Sequence, residues 1–364
     1  MKVAIVHDWF VGGGAERVVE QLHKMYPDAP VYTSYCSDEW RQKLDGKVVT
    51  GYLQHWPFSK LRKFLPPLRA RWFSHLNFDD YDLVISSSGA EAKGIKVNKP
   101  AVHINYCHAP THYYWSRYDE YVQSPGFGFF NPLARLGLKL LVVPMRRWDY
   151  KAAQRPDYII ANSNYIKDQI KKYYGRDSNV IHPPVDIERF KILNKSSILR
   201  HGFVAAGRQT PYKRIDLAVA ACSQLSLPLL VIGNGPENKK LKAMAGKTVT
   251  FLRGKDDEEV AEYFKTSQAF IFPGLDDFGI VAVEALAAGT PVIAYKAGGA
   301  LDYVKAGKTG EFFSEQTIDS LVGALKKFKP GSYDPDQIQK SADRFSPESF
   351  RKQMSDQILE LTKK

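Results

Sequence analysis

Cysteine is scarce: Cys36, Cys107 and Cys222 are the only three among 364 residues. They are far apart, odd in number and form no Cys-x-x-Cys pair. That excludes a disulfide framework and a structural zinc site, and it points to a reducing compartment. Long apolar runs are missing too. A membrane span needs about 20 consecutive apolar residues, and the longest candidate, Leu133 to Met145, is interrupted by Arg135, Lys139 and Pro144. The opening apolar run ends at His7 and Asp8, so it reads as a buried first strand and not as a secretory signal. A soluble or peripheral cytoplasmic protein is expected. Acidic residues are in deficit, 39 against 51 Lys and Arg, which leaves a net charge of +12. An anionic partner follows, and nucleic acid, an anionic membrane surface and a phosphate-bearing substrate all fit. With no recognisable nucleic-acid module, nucleic acid ranks last.

The chain is long enough for two α/β domains, with no repeat or low-complexity tract. Strand-like runs occupy Lys2–His7, Leu83–Ser86, Ala101–Tyr106 and Tyr158–Ala161. After the first comes a helical stretch, Ala15–Met25, with Val18, Val19, Leu22 and Met25 at helical spacing. Asn162-Ser163 reads as a helix cap. The prolines of His182-Pro183-Pro184-Val185-Asp186 break the pattern, and the polar stretch Asn194–Ser197 is taken as the linker. A second series, Gly202–Ala206, Leu229–Ile232, Val249–Leu252, Ala269–Phe272 and Pro291–Ala294, has the spacing of βαβ units. The expected domains are residues 1–190 and 197–345. A last amphipathic helix, Pro347–Leu361, carries Phe350, Met354, Ile358 and Leu361 on one face.

Chemistry concentrates at strand ends, where parallel α/β domains bind ligands. Gly12-Gly13-Gly14 lies between the first strand and its helix. It suits backbone approach to a phosphate at a helix N-terminus, or simply a tight turn. It is not a dinucleotide fingerprint, because Arg17 stands where the third glycine belongs. Gly246 and Gly307 each open a Gly-Lys-Thr triplet, but Leu241 and Asp302 occupy the required upstream glycine, so neither is a P-loop. Gly207 to Arg214 follows a strand and places Arg208 and Lys213 where two cations could hold a diphosphate; a solvated cationic turn is the alternative. Phe272 to Ala285 again joins strand to helix. Asp276 precedes Phe278, Gly279 and Ile280, whose N–H groups would face a ligand. Glu284 sits on an almost wholly apolar helix and needs a partner there. His108 lies just past a strand end, beside the aromatic run His112-Tyr113-Tyr114-Trp115. Two segments mix cations with aromatics: Gly51–Phe73 (Lys60, Arg62, Lys63, Arg69, Arg71 among Trp56, Phe58, Leu61, Phe64, Leu65, Leu68, Trp72, Phe73), and Phe127, Phe129, Phe130 with Arg135, Lys139, Arg146, Arg147. Either reads as an anionic-lipid surface or as core with a solvated cationic face.

In this order the residues resemble the GT-B glycosyltransferases of family 4, especially bacterial mannosyltransferases of surface-polysaccharide assembly. The matching elements are His7-Asp8 with Gly13-Gly14-Ala15-Glu16-Arg17, Tyr106-Cys107-His108-x-Pro110, Arg147-Trp148-Asp149 and Ala161-Asn162-Ser163. Pro183-Pro184-Val185-Asp186, Gly207-Arg208 to Lys213 and Asp277-Phe278-Gly279 to Glu284-Ala285 continue the series. The resemblance implies two Rossmann-like domains with parallel sheets facing a central cleft, the last helix (within 346–364) crossing back to the N-terminal, acceptor-binding domain. It implies a nucleotide-sugar donor held mainly by the C-terminal domain. Arg208 and Lys213 would hold its diphosphate, Glu284 its ribose and Asp276 the sugar hydroxyls, with backbone contacts from Phe278, Gly279 and Ile280. Gly13 and Gly14 would approach the diphosphate, and His108 the sugar and acceptor. Two positions depart from the pattern: Asp276 stands for a usual Glu, and His112 for a frequent Arg.

The expected reaction is metal- and cofactor-independent transfer of a hexose with retention, by front-face attack of the acceptor hydroxyl. GDP-mannose is the implied donor and a UDP-sugar the next choice. The acceptor would be a glycan or a polyprenyl-diphosphate-linked sugar at the inner face of the membrane. A different GT-B enzyme, such as an epimerase or phosphorylase, and a catalytically silent sugar- or lipid-binding partner are the competing readings.

Overall fold

The computed structural model describes residues 1–126, 128–191, 199–254 and 256–362. Asn194–Ser197 and Phe127 lie outside them. The chain divides into two units, Met1–Pro183 with Arg351–Lys364, and Pro184–Phe350.

The first unit holds a seven-stranded sheet built from β1 (Val3–His7), β2 (Val31–Thr33), β3 (Val48–Val49), β4 (Leu83–Ser88), β5 (Val102–Cys107), β6 (Tyr158–Ala161) and β7 (Asn179–Val180), in the order β3-β2-β1-β4-β5-β6-β7. The paired strands run parallel. Both faces of such a sheet are covered, and every residue of β1 and β4 is accordingly buried. The second unit repeats the plan with β8 (Phe203–Ala206), β9 (Leu229–Ile232), β10 (Val249–Leu252), β11 (Ala269–Phe272), β12 (Val292–Tyr295) and β13 (Gly310–Phe313), ordered β10-β9-β8-β11-β12-β13. Both are Rossmann-like. In each, strand order reverses beside the first strand, between β1 and β4 and between β8 and β11. Loops leaving the carboxyl ends of those strands diverge there and open a crevice. The functional loops are therefore those after β1, β4, β8 and β11.

Helices follow their local signals. Ser163 caps Asn164–Tyr174 by accepting from Ile166 N at 3.1 Å, and Gly175 ends it with φ +66°. The last helix, Pro347–Thr362, buries Phe350, Met354, Ile358 and Leu361. From Arg351 it belongs to the first unit, where Arg351 donates to Gln21 and Asn179 Nδ2 to Gln357 Oε1 at 2.7 Å.

The interior of the first unit contains charge that the sequence reading placed on its surface. Arg69 is not part of a cationic face. It is fully buried and donates from Nε and Nη2 to Glu91 at 2.9 and 3.0 Å, while Tyr113 donates to the same carboxylate at 2.6 Å. Trp72 and Phe73 from that segment are core as well. A second buried pair joins Lys93 to Asp149 at 2.7 Å. Asp149 also accepts from Thr111, Trp115 Nε1 and Tyr174 Oη at 2.7–2.8 Å. Buried ions need this degree of satisfaction to be tolerated.

His103 on β5 is buried, with Nε2 2.8 Å from Ser86 Oγ and no partner for Nδ1. Burial pushes its pKa down to about 3; Arg155 and Arg176 push the same way and Asp157 opposes. The folded value lies below the free value of 6.5. Its contribution to stability is therefore complete above pH 6.5 and is lost as pH falls towards 3. Between pH 6.5 and about 4.5 that loss should be roughly 2 kcal/mol. Urea denaturation of wild type and His103→Asn at both pH values checks this, the variant being expected to lose less on acidification.

Candidate functional site

In the second unit, the loop after β8 is pinned from below. Gly207 takes φ +137°, and a Cβ on Gly233 would come within 2.3 Å of its carbonyl oxygen. Gln209, fully buried, donates to Gly233 O at 3.0 Å and accepts from Asn238 Nδ2 at 2.6 Å; Arg253 donates to Asn238 in turn. The rigid base leaves the Arg208 side chain exposed, its guanidinium without a hydrogen bond or ion pair among the described residues, while its carbonyl accepts from Thr210 N at 2.9 Å. The single turn Pro211–Lys213 then leads to Arg214, whose left-handed φ of +49° opens the helix Ile215–Gln224.

The loop after β11 folds onto this one. A Cβ on Gly274 would lie 2.9 Å from Lys213 Cα and 3.0 Å from the carbonyl oxygens of Tyr212 and Lys213, so the backbones are in contact. That approach brings Lys213 to Asp276: Nζ donates to Oδ2, while Oδ1 is buried with no partner. Gly299 N donates to Asp276 O at 2.9 Å and fixes the loop from the other side. Phe278 packs edge-on against Tyr303 and Phe345, and Tyr303 Oη donates to Phe278 O at 2.9 Å. Burial pushes the Tyr303 phenol well up, Asp276 and Asp302 adding to it, which keeps it a donor. Gly279, at φ +92°, precedes the helix Ile280–Ala287, on which Glu284 is buried.

Gly279→Ala should therefore be costly. The position is left-handed, and the new methyl would lie 2.5 Å from Phe272 Cζ and 2.7 Å from Tyr303 Oη. Backbone strain and overpacking together predict a loss of roughly 2–4 kcal/mol. Chemical denaturation measures it, and an unchanged midpoint would contradict this packing.

In the first unit, Gly12 has φ +100°, Gly13 is extended and Gly14 starts the helix Gly14–Met25. The buried carboxylate of Glu16 reaches back to accept from Val11 N at 3.3 Å and Gly12 N at 3.0 Å. Asp8 ties the β1 and β4 loops together, accepting from Gly89, Ala90 and Ala92 N–H groups at 2.7–2.9 Å. His108 Nε2 shares a 2.7 Å hydrogen bond with Ser87 Oγ, and its ring lies 6.3 Å from that of His7. His112 pairs instead with Ser116 Oγ at 2.8 Å.

The structure thus brings Lys213, Asp276, Phe278 and Gly279 together on two touching loops and places Arg208 on the first of them. Gly13 and Gly14 lie after β1, the strand of the other unit equivalent to β8, and His108 lies after β5. Sequence reasoning passed over the supporting residues Gln209, Asn238, Arg253 and Tyr303. Gln209 alone carried a signal, an amide between two loop cations. Asp8 and Glu16 were seen as motif letters and prove to be loop clamps. Among the described residues no cluster of His, Cys, Asp or Glu is arranged to hold a metal ion.

Two Rossmann-like units with loops gathered at their switch points are the architecture of the GT-B fold. Residues 12–189 match the family model described as Glycosyltransferase Family 4, and residues 200–345 the one described as Glycosyl transferases group 1. Between them they take in most of the chain, which belongs to this group of glycosyltransferases. It is 31% identical over 200 residues to a D-inositol 3-phosphate glycosyltransferase of Rhodococcus opacus, a match covering 47% of this chain and 45% of that protein. The match thus spans less than half the length of that relative. Among solved structures it resembles Anabaena Alr3699/HepE in complex with UDP (TM-score 0.72, 18% identity, 99% of this chain and 100% of that one). It is similar also to sucrose-phosphate synthase from Thermosynechococcus elongatus (TM-score 0.71, 18% identity, 99% of each chain). At these identities the likeness concerns the fold.

Proposed function

We propose that the protein transfers a hexose from a nucleotide sugar to a glycan or lipid-linked acceptor, with retention and without a metal ion. The observation that carries this reading is the meeting of the β8 and β11 loops. They hold Lys213 on Asp276 and leave Asp276 Oδ1 buried without a partner, and the β8 loop carries Arg208 exposed. A buried acceptor with unused capacity fits a sugar hydroxyl. Two cations at the carboxyl ends of parallel strands fit a diphosphate. Glu284, buried on the helix that starts at Ile280, is the candidate for the ribose. Phe278, Gly279 and Ile280 would offer backbone contacts to sugar and phosphate. Gly13, Gly14 and His108 are assigned by family resemblance, the glycines to the diphosphate and His108 to the sugar and acceptor.

In the proposed step the bond from the anomeric carbon to the diphosphate oxygen breaks while the acceptor oxygen bonds to the same face. The departing phosphate takes the acceptor proton. Arg208 and Lys213 stabilise the charge that develops on the leaving group, in geometry set before reaction. The complexes of Alr3699/HepE with UDP and with UDP-glucose support a nucleotide-sugar donor, and set a UDP-sugar level with GDP-mannose.

Thermal-shift binding in the presence of EDTA tests the reading, using GDP, UDP, ADP and their sugar conjugates. A ligand that binds only the folded chain at 100 times its Kd adds about 2.7 kcal/mol of stability, a shift of several degrees. One nucleotide class should stabilise selectively, and GDP against UDP decides the donor. No shift with any nucleotide would overturn the assignment in favour of a non-catalytic partner.

A further inference from the structure

The helix Asn131–Ala153 has two apolar faces. One is the expected inner face, with Val142, Met145, Ala152 and Ala153 buried beside Asp149. The other looks into solvent. Leu133, Leu136, Leu140 and Val143 are 67%, 55%, 69% and 52% exposed, and Phe129 just before the helix is 93% exposed. Their spacing of three, four and three residues puts the four aliphatic side chains on one stripe, about 15 Å long. A helix apolar on its solvent side is costly in water unless something covers it.

Charge says what covers it. No Asp or Glu occurs between Glu120 and Asp149, a stretch that carries Arg135, Lys139, Arg146 and Arg147. Arg135 and Arg146 turn inward, donating to the carbonyls of Val122 and Tyr114. Lys139 and Arg147 remain exposed on the helix that bears the stripe. Apolar side chains flanked by exposed cations, on a segment that itself carries no acid, complement an anionic lipid surface: hydrocarbon enters the interface and the cations meet the headgroups. No helix here is long and apolar enough to cross a membrane among the described residues, so the contact is peripheral.

We infer that Phe129 and the stripe Leu133, Leu136, Leu140 and Val143 form a membrane-docking surface selective for anionic lipid. It gives the proposed transferase a route to lipid-linked acceptors, but the observations behind it do not depend on the donor site.

The test is co-sedimentation of the full chain with vesicles of phosphatidylcholine alone or with about 30% phosphatidylglycerol. Wild type should bind the anionic vesicles at least about tenfold more strongly, and added salt should weaken the binding. Leu133→Gln/Leu136→Gln/Leu140→Gln should lose at least about tenfold on anionic vesicles, since three partly inserted leucines are removed, with its melting temperature unchanged. Lys139→Ala/Arg147→Ala should lose the preference for anionic lipid. Equal binding by wild type and the triple variant would overturn the inference, as would negligible binding of wild type to either vesicle. So would a wild-type dimer in sedimentation velocity that the triple variant dissolves, because the stripe would then join two copies of the chain. Neither readout uses a nucleotide sugar, so failure here leaves the donor assignment standing, and the reverse holds.

Discussion

Arg208→Ala is expected to lower the rate of nucleoside diphosphate release from the donor by about 10²–10³-fold, the usual cost of removing one preorganised donor from a developing charge. The melting temperature of the free protein should barely move. The Arg208 side chain is exposed and its guanidinium holds no partner among the described residues, and the carbonyl that accepts from Thr210 N is kept in the variant. Lys213 behaves differently. Its ammonium sits on Asp276, which is buried, so Lys213→Ala strips a buried carboxylate of its counter-charge and should cost stability as well as rate. Steady-state kinetics and thermal melts of the two variants separate these roles. If Arg208→Ala turned over at near the wild-type rate, the arginine would have no part in stabilising the leaving group.

Glu91→Gln should be among the most destabilising single substitutions in the first unit. Glu91 is fully buried and takes the charge of an equally buried Arg69, with the Tyr113 hydroxyl as a third partner. Glutamine keeps the shape and removes the charge, leaving a guanidinium without an anion in the core. The expected loss is about 3–5 kcal/mol. Glu91→Gln combined with Arg69→Met, which removes both ions, should recover much of it. A single variant as stable as wild type in urea denaturation would mean that the pair is poorly formed or reached by water.

Arg208, Lys213 and Arg69 also show what the sequence carried and what it hid. Arg208 and Lys213 were legible because their position, just after a strand and before a helix, follows from local pattern and from where parallel sheets bind ligands. The long strands β1, β4, β5, β6 and β8 to β12 were legible for the same reason, as apolar runs at βαβ spacing. Arg69 was misread because its partner lies 22 residues away on another element, and nothing local announces a buried pair. The strands β2, β3 and β7 span only two or three residues, too few to show a period, and β13 begins at a glycine. That Gly310 is needed because a Cβ there would lie 1.9 Å from Val292 O, a contact invisible from the chain alone. The Asp276 site was half legible. Its place in the motif was plain, but its pairing with Lys213 required the backbone contact at Gly274.

The central claim is tested most directly by incubating the full chain, in EDTA, with a panel of GDP-, UDP- and ADP-sugars and following the anomeric proton and the phosphates by NMR. The account predicts that one donor is consumed, that nucleoside diphosphate appears, and that the released or transferred sugar first appears with the donor's anomeric configuration. Appearance of nucleoside monophosphate, release of the inverted sugar, or no turnover of any donor in a sample that binds none of them would contradict it.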